Sequence, residues 1–242
     1  MIFELRDLVL IPLGVIAGAM TTLAGLGGGL MMIAALSIVY DPKLALAITA
    51  PALLVGNLHR ATMYRTFIDV GVAKRVATSG FVAALLFGWL AVRLPDALLR
   101  ALLIGSTLFA LGRATNTIRF TIRPEWLVPM GLAIGAITAT SGGGPALLAP
   151  TLMASGLSGE RYVSTASTCA LCVHIGRVIA YGASGFLDVP QLARAGVLAI
   201  CVLGGNAIGA RLRPGFAPKT LSNLEVFALA VVAVTSLVGF GG

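Results

Sequence analysis

Two glycine triplets carry the chemistry that can be read most directly: Gly27-Gly28-Gly29 within "AGLGGGL" and Gly142-Gly143-Gly144 within "SGGGPAL". Both interrupt apolar sequence, where glycine weakens a helix and a backbone group freed in hydrocarbon is costly unless something re-satisfies it. Glycine allows positive φ and close backbone approach, and Pro145 suits the first turn of a helix, where its missing N–H costs nothing. "SGGGP" therefore predicts a helix end, a tight exposed backbone and a new helix start. Unpaired N–H groups and the positive dipole end at such a start make an anion site. Thr21, Thr22, Thr138, Thr140 and Ser141 flank the glycines as potential hydroxyl donors. Close helix packing through small residues is the alternative use of the same glycines.

Arg60 and Arg177 are the cations set deepest in apolar runs. Each lies about 17 residues into its predicted helix, about 25 Å along it and nearer an end than the midplane. They are candidate anion-binding or gate residues, with snorkelling to the headgroups as the alternative. His59 and His174 are the only histidines. Imidazole titrates near neutral pH and could couple a proton to whatever the site does; a polar helix-packing role is the alternative. Cys169 and Cys172 have CxxC spacing but no second ligand pair, so they and Cys201 read as small buried side chains. The sequence has no catalytic triad or metal-ligand cluster, and "GLGGG" lacks the Lys-Ser/Thr of a phosphate loop. Neither a metal nor a cofactor is expected.

The elements that must position these residues follow from composition. The chain is 58% hydrophobic and 11% charged, where a soluble domain carries about a quarter charged residues. Apolar runs long enough to span a bilayer recur from Val9 to Phe240, which predicts an all-α polytopic membrane protein embedded in lipid. The run from Leu8 reads as the first membrane element and not as a secretory signal, because Glu4 and Asp7 precede it and no small-residue cleavage site introduces a soluble domain. The formal charge of +8 lies mostly in short loops between spans, as the positive-inside rule expects, so no nucleic-acid partner is predicted. Nothing in the sequence sets an oligomeric state.

The chain is written twice. "GVIAGAMTTLAGLGGGLMMIAAL" from Gly14 matches "GLAIGAITATSGGGPALLAP" from Gly131, "NLHRATMY" from Asn57 matches "HIGRVIAY" from His174, and "FIDV" from Phe67 matches "FLDV" from Phe186. Counted from the glycine triplets, Gly27 to Gly142, the offset grows from 115 to 117 to 119, so each step needs only a two-residue length change. Arg60 pairs with Arg177, Tyr64 with Tyr181 and Asn57 with His174. The predicted units are residues 1–118 and 119–242, forming one integral membrane body. Each has a Gly-broken segment (8–40 and 126–155) and three helices (near 43–64, 76–94 and 97–116, then 161–182, 192–210 and 221–240). Asp69 and Asp188 are expected to cap the helices that follow them.

Charge chooses the topology. If each broken segment crosses once, the loop with Arg65, Lys74 and Arg75 and the loop with Arg119 and Arg123 fall opposite the loop with Arg211, Arg213 and Lys219. If each broken segment returns to its starting side, all three basic loops lie together, facing acid-balanced loops at Asp41, Asp96 and Asp188. The second arrangement gives two inverted-topology repeats with both termini outside. Re-entrant helix pairs and short tilted crossings both satisfy it. Arg60 then lies toward the cytoplasm and Arg177 toward the outside. Discontinuous helices at matched positions in two such halves are the sequence pointer to a transporter's substrate site.

The paired glycine motifs, the "ASTCAL" stretch and the F-x-D-V after each second helix resemble the sulfite exporter TauE/SafE family of bacterial membrane transporters. The resemblance covers essentially the whole chain. It implies a secondary transporter of the bacterial inner membrane moving sulfite, sulfonates or related small organic anions, with a proton as a possible coupling ion. Two departures matter: the first half has "ITAPAL" where the second has "TASTCAL", and substrates vary within the family, so the anion class transfers better than a named compound. An anion channel and an intramembrane enzyme are the rival readings; no paired nucleophile and base supports the second.

Overall fold

The computed structural model describes residues 3–24, 28–115, 117–118 and 123–238; Gly27 and Arg119 lie outside them. The described residues form α-helices joined by short turns and 3-10 segments, with no strand among them. The first half contains α1 (Leu10–Ala24), α2 (Gly28–Val39), α3 (Pro42–Met63), α4 (Val70–Ala91) and α5 (Asp96–Ala114). The second contains α6 (Leu127–Ser141), α7 (Pro145–Ala154), α8 (Gly159–Ala183), α9 (Val189–Leu212) and α10 (Pro218–Val238). Six helices, counted with their flanking turns, are long and apolar enough to cross a membrane. The chain is a multi-pass membrane protein.

Helix starts follow local chemistry. The carboxylates of Asp41, Asp69 and Asp188 accept from the N–H groups of Leu44 (2.7 Å), Val72 (3.0 Å) and Gln191 (3.0 Å), so each caps the next helix. The cap at Asp69 makes α4 begin at Val70, not near residue 76, and the exposed Lys74 and Arg75 sit in its first turns. Charge alone suggests a loop there; a capped helix end emerging from the apolar layer accommodates the same charges.

The broken segments fold back on themselves. α1 with its preceding turn is one of the six candidate spans, whereas α2, with 12 residues, is about 18 Å long against a hydrocarbon core of about 30 Å. Tyr40, just after α2, donates its hydroxyl to the carboxylate of Asp7, just before α1. The start and end of the segment therefore lie side by side. Asp7 also accepts from Arg194 Nε on α9 at 2.9 Å and from the Glu4 N–H at 2.8 Å. Burial, and then this contact with Asp7, push the Tyr40 phenol well above its ordinary pKa and keep it a donor. In the second half Leu127, at the head of α6, and Leu157, beyond α7, share one buried cluster with Leu148 and Leu152.

The two halves interlock. α1 packs on α9 and α6 on α4; α9 packs on α3 and α4 on α8; α3 meets α8, and α5 meets α10. Exchanging α1–α5 for α6–α10 maps this set of pairings onto itself. The first arm of each half thus rests on the fourth helix of the other. Glycines set the approach distance: a Cβ on Gly18 would overlap the Val202 carbonyl oxygen, and one on Gly135 would overlap that of Gly80. Association of helices in lipid depends on such close backbone contact.

Gly18→Val and Gly135→Val should each destabilise the fold by about 1–3 kcal/mol through overpacking. Gly204→Val, whose added atoms meet open space on α9, should leave the melting temperature in detergent within about a degree or two of wild type. Equal melting of all three variants would contradict these helix pairings.

Candidate functional site

The second glycine break has the helix end and restart that its sequence predicts, but Gly142, Gly143 and Gly144 are buried where an exposed backbone was expected. α6 stops because Gly142 adopts the left-handed conformation (φ 76°), with its N–H donated to Thr138 O at 3.0 Å. α7 restarts at Pro145. Yet the backbone there is largely satisfied from within. Gly143 N–H reaches Ser141 Oγ (3.3 Å), Ala146 N–H reaches Gly143 O, and the N–H groups of Leu147 and Leu148 both reach Gly144 O (3.0 Å each). Pro145 has no N–H, so the start of α7 offers little free backbone to an anion. The hydroxyls are engaged as well. Thr21, Thr138, Thr140 and Ser141 donate to carbonyls one turn back on their own helices, and Thr22 donates to Asn206 Oδ1 at 3.0 Å.

Both breaks nevertheless meet at one cavity of about 70 Å³. Thr21, Thr22 and Gly29 reach it from the first, Thr138, Gly142 and Pro145 from the second. α3 adds Leu53, Asn57 and Arg60; α8 adds a wall from Tyr162 to His174, about 18 Å of helix. Arg213, in the turn that ends α9, completes the lining. Arg60 lies in the last turn of α3 and Tyr162 in the first turn of α8, so the cavity runs from mid-helix to the end of the bundle where these elements meet. That end is tied by Ser164 Oγ donating to Tyr64 O (2.7 Å) and by an Arg161–Asp69 ion pair (2.8 Å).

Arg60 donates through NH2 to Asn57 Oδ1 at 2.6 Å, while its Nε is shielded from solvent and without a hydrogen-bond partner. Arg177 repeats the local pattern in a different setting. Its NH1 lies 3.1 Å from His174 Nδ1, and because a guanidinium can only donate, that nitrogen accepts and the ring proton resides on Nε2. Arg177 is fully buried, donates to Leu46 O on α3 at 3.1 Å and sits 5.5 Å from the Tyr181 ring centre. Tyr181 in turn donates to Ala139 O at 2.7 Å. Arg177 does not line the cavity; His174 stands between the two.

The remaining candidates fall elsewhere. Gly28 is packed against α1 and Gly144 against α6, where a Cβ would overlap Ala17 O and Ile134 O respectively. Thr140, Ser141 and Gly143 face a separate hollow of about 290 Å³ between α5, α6 and α7. His59 Nδ1 is buried without a hydrogen-bond partner and away from the cavity. Sequence reasoning missed Tyr162 and Ser167, and treated Arg213 only as a loop charge. Its one mark in the sequence is its place directly after a span.

No curated protein and no solved structure matches the chain. A family model, that of the sulfite exporter TauE/SafE, matches residues 10–240, which takes in both glycine breaks, the cavity and both arginine-bearing helices. Members of that family are transporters and not enzymes, and they imply a small anionic substrate. With nearly its whole length covered, the chain belongs to the sulfite exporter TauE/SafE family.

Proposed function

We propose that this protein moves sulfite, a sulfonate or a related small anion across the bacterial inner membrane by alternating access at the paired glycine breaks. One observation carries the reading: both breaks and Arg60 converge on a single cavity in which no described carboxylate pairs with the arginine. An uncompensated cation in a low-dielectric pocket calls for an anion. About 70 Å³ is far below the roughly 300–1,000 Å³ of a drug-sized site, which suits a solute of a few heavy atoms.

The proposed architecture is two inverted repeats, residues 1–118 and 119–242. The exchange-symmetric helix pairings, the two returning hairpins and the matched Arg60–Asn57 and Arg177–His174 pairs support it. In that topology the cavity opens toward the basic loops, hence the cytoplasm. Asp7, Tyr40 and Arg194 lie at the opposite, outer end, and Arg177 is enclosed on the way to it. A cytoplasm-facing cavity suits capture for export. Arg177, Tyr181 and Leu46 are buried beyond the cavity, which suits a carrier closed on its outer side. His174 is the better placed of the two histidines for proton coupling, because a proton on Nδ1 would break its bond to Arg177.

Replacing a guanidinium by an ammonium keeps the charge and loses the planar fork of donors. Arg60→Lys should raise the half-saturation concentration for sulfite several-fold on the cytoplasmic side of oriented proteoliposomes, and Arg177→Lys should do so on the outer side. Wild-type values on both sides for both variants would return the arginines to a structural role.

The glycines separate site from scaffold. A Cβ on Gly29 meets Leu53 at 3.4 Å, an ordinary contact, and projects where the cavity lies. Gly29→Val should therefore be produced near normal abundance and transport at a tenth of wild-type rate or less, whereas Gly28→Val should lose abundance first. Normal sulfite counterflow by Gly29→Val would remove the breaks from the substrate path.

A further inference from the structure

Four described cations sit in ion pairs: Arg6 with Glu4, Lys43 with Asp96, Arg161 with Asp69, and Arg194 with Asp7 and Glu4. The two arginines that line the cavity differ, for neither Arg60 nor Arg213 pairs with a described carboxylate. They arrive from different halves of the chain, Arg60 from the last turn of α3 and Arg213 from the residue that closes α9. Each is held in place. Asn57 fixes one arm of the Arg60 guanidinium, leaving Nε unused. Arg213 is anchored by its own N–H bonded to Gly209 O, and its carbonyl accepts from Phe216 N–H at 3.2 Å across the turn that contains Pro214.

Two like charges around one small cavity repel, and more strongly than in water. Both arginines stand at helix C-terminal ends, whose partial negative charge offsets part of that repulsion. The remainder is relieved only by negative charge between them. A singly charged anion neutralises one guanidinium; a doubly charged one neutralises both. We propose that Arg213 is the second anion-binding cation of this cavity, and that the Arg60–Arg213 pair selects doubly charged small oxyanions over singly charged ones. The inference rests on the small-anion transporter reading above and deepens it by fixing the charge of the preferred solute.

Sulfite and methanesulfonate test it, since both present three oxygens on one sulfur. Above its second ionisation sulfite carries two charges, while methanesulfonate carries one at any pH used. Titration calorimetry on the purified full chain in detergent gives the ratio of their affinities. The methyl group penalises methanesulfonate alike in every variant, so a change of ratio on mutation reports charge. Wild type should prefer sulfite by about tenfold or more, as expected for one additional charge-assisted contact. Arg213→Gln should bring the ratio close to unity, Arg213→Lys should keep most of it, and Arg211→Gln, at an exposed neighbour, should leave it unchanged. A preference retained in Arg213→Gln, or absent in wild type that binds both anions, overturns the proposal and leaves the transporter reading standing. No binding of either anion by folded wild type overturns both.

Discussion

A helix broken inside a bilayer must satisfy its own loose backbone, and this requirement governs the rest of the molecule. At the second break the donors of Gly142, Gly143, Ala146, Leu147 and Leu148 are taken up by Thr138 O, Ser141 Oγ, Gly143 O and Gly144 O. The flanking hydroxyls are turned back onto their own helices. What the break contributes is therefore shape more than free donors. By ending α6 and redirecting the chain into α7, it brings Gly142 and Pro145 to a cavity that side chains from α3 and from the end of α9 also line.

Short arms create a second requirement. α2 and α7 are too short to cross the hydrocarbon alone, so each hairpin must be held by longer neighbours. Close glycine contacts supply this laterally: α1 lies on α9 and α6 on α4 with backbone nearly touching backbone. At the hairpin's open end the Asp7–Tyr40–Arg194 cluster does it with charge. Asp7 and Arg194 are both almost wholly buried, so removing Arg194 leaves Asp7 without its cation and removing Asp7 leaves Arg194 only the exposed Glu4 at 3.8 Å; that makes the cluster a strong constraint on register whatever its net stability.

The sequence exposed much of this order because its cues are local. Asp41, Asp69 and Asp188 announce helix starts by side-chain chemistry, and "SGGGP" announces a break by backbone chemistry. Which glycine of a triplet faces the cavity was not legible. Successive residues on a helix point about 100° apart, so Gly28 meets α1 while Gly29 meets the cavity, and only the packing of the hairpin decides. Arg213 was hidden for a related reason: its role depends on where the end of α9 lands relative to α3. The hydroxyls next to the glycines were legible as donors, but a Thr or Ser inside a helix has a carbonyl one turn back within reach, and here that local partner wins.

The least legible feature is also the most informative. Arg60 and Arg177 hold matched places in the sequence, each with a polar partner three residues before it, yet one lines a cavity and the other is sealed against Leu46 O and Tyr181. The repeat shows only that the two arginines are matched; the exchange of Asn57 for His174 as partner does not by itself say which one faces a cavity. On the proposed mechanism the difference belongs to the conformation: the same two environments would be exchanged when access passes to the other side. That exchange requires the sealed state of an arginine to cost little more than its open state. The bonds of Arg177 to a carbonyl oxygen and an imidazole nitrogen lower that cost only in part, since its Nε has no hydrogen-bond partner and no described carboxylate pairs with it. They desolvate the guanidinium without neutralising it, so the buried cation keeps a charge that an incoming anion can still attract.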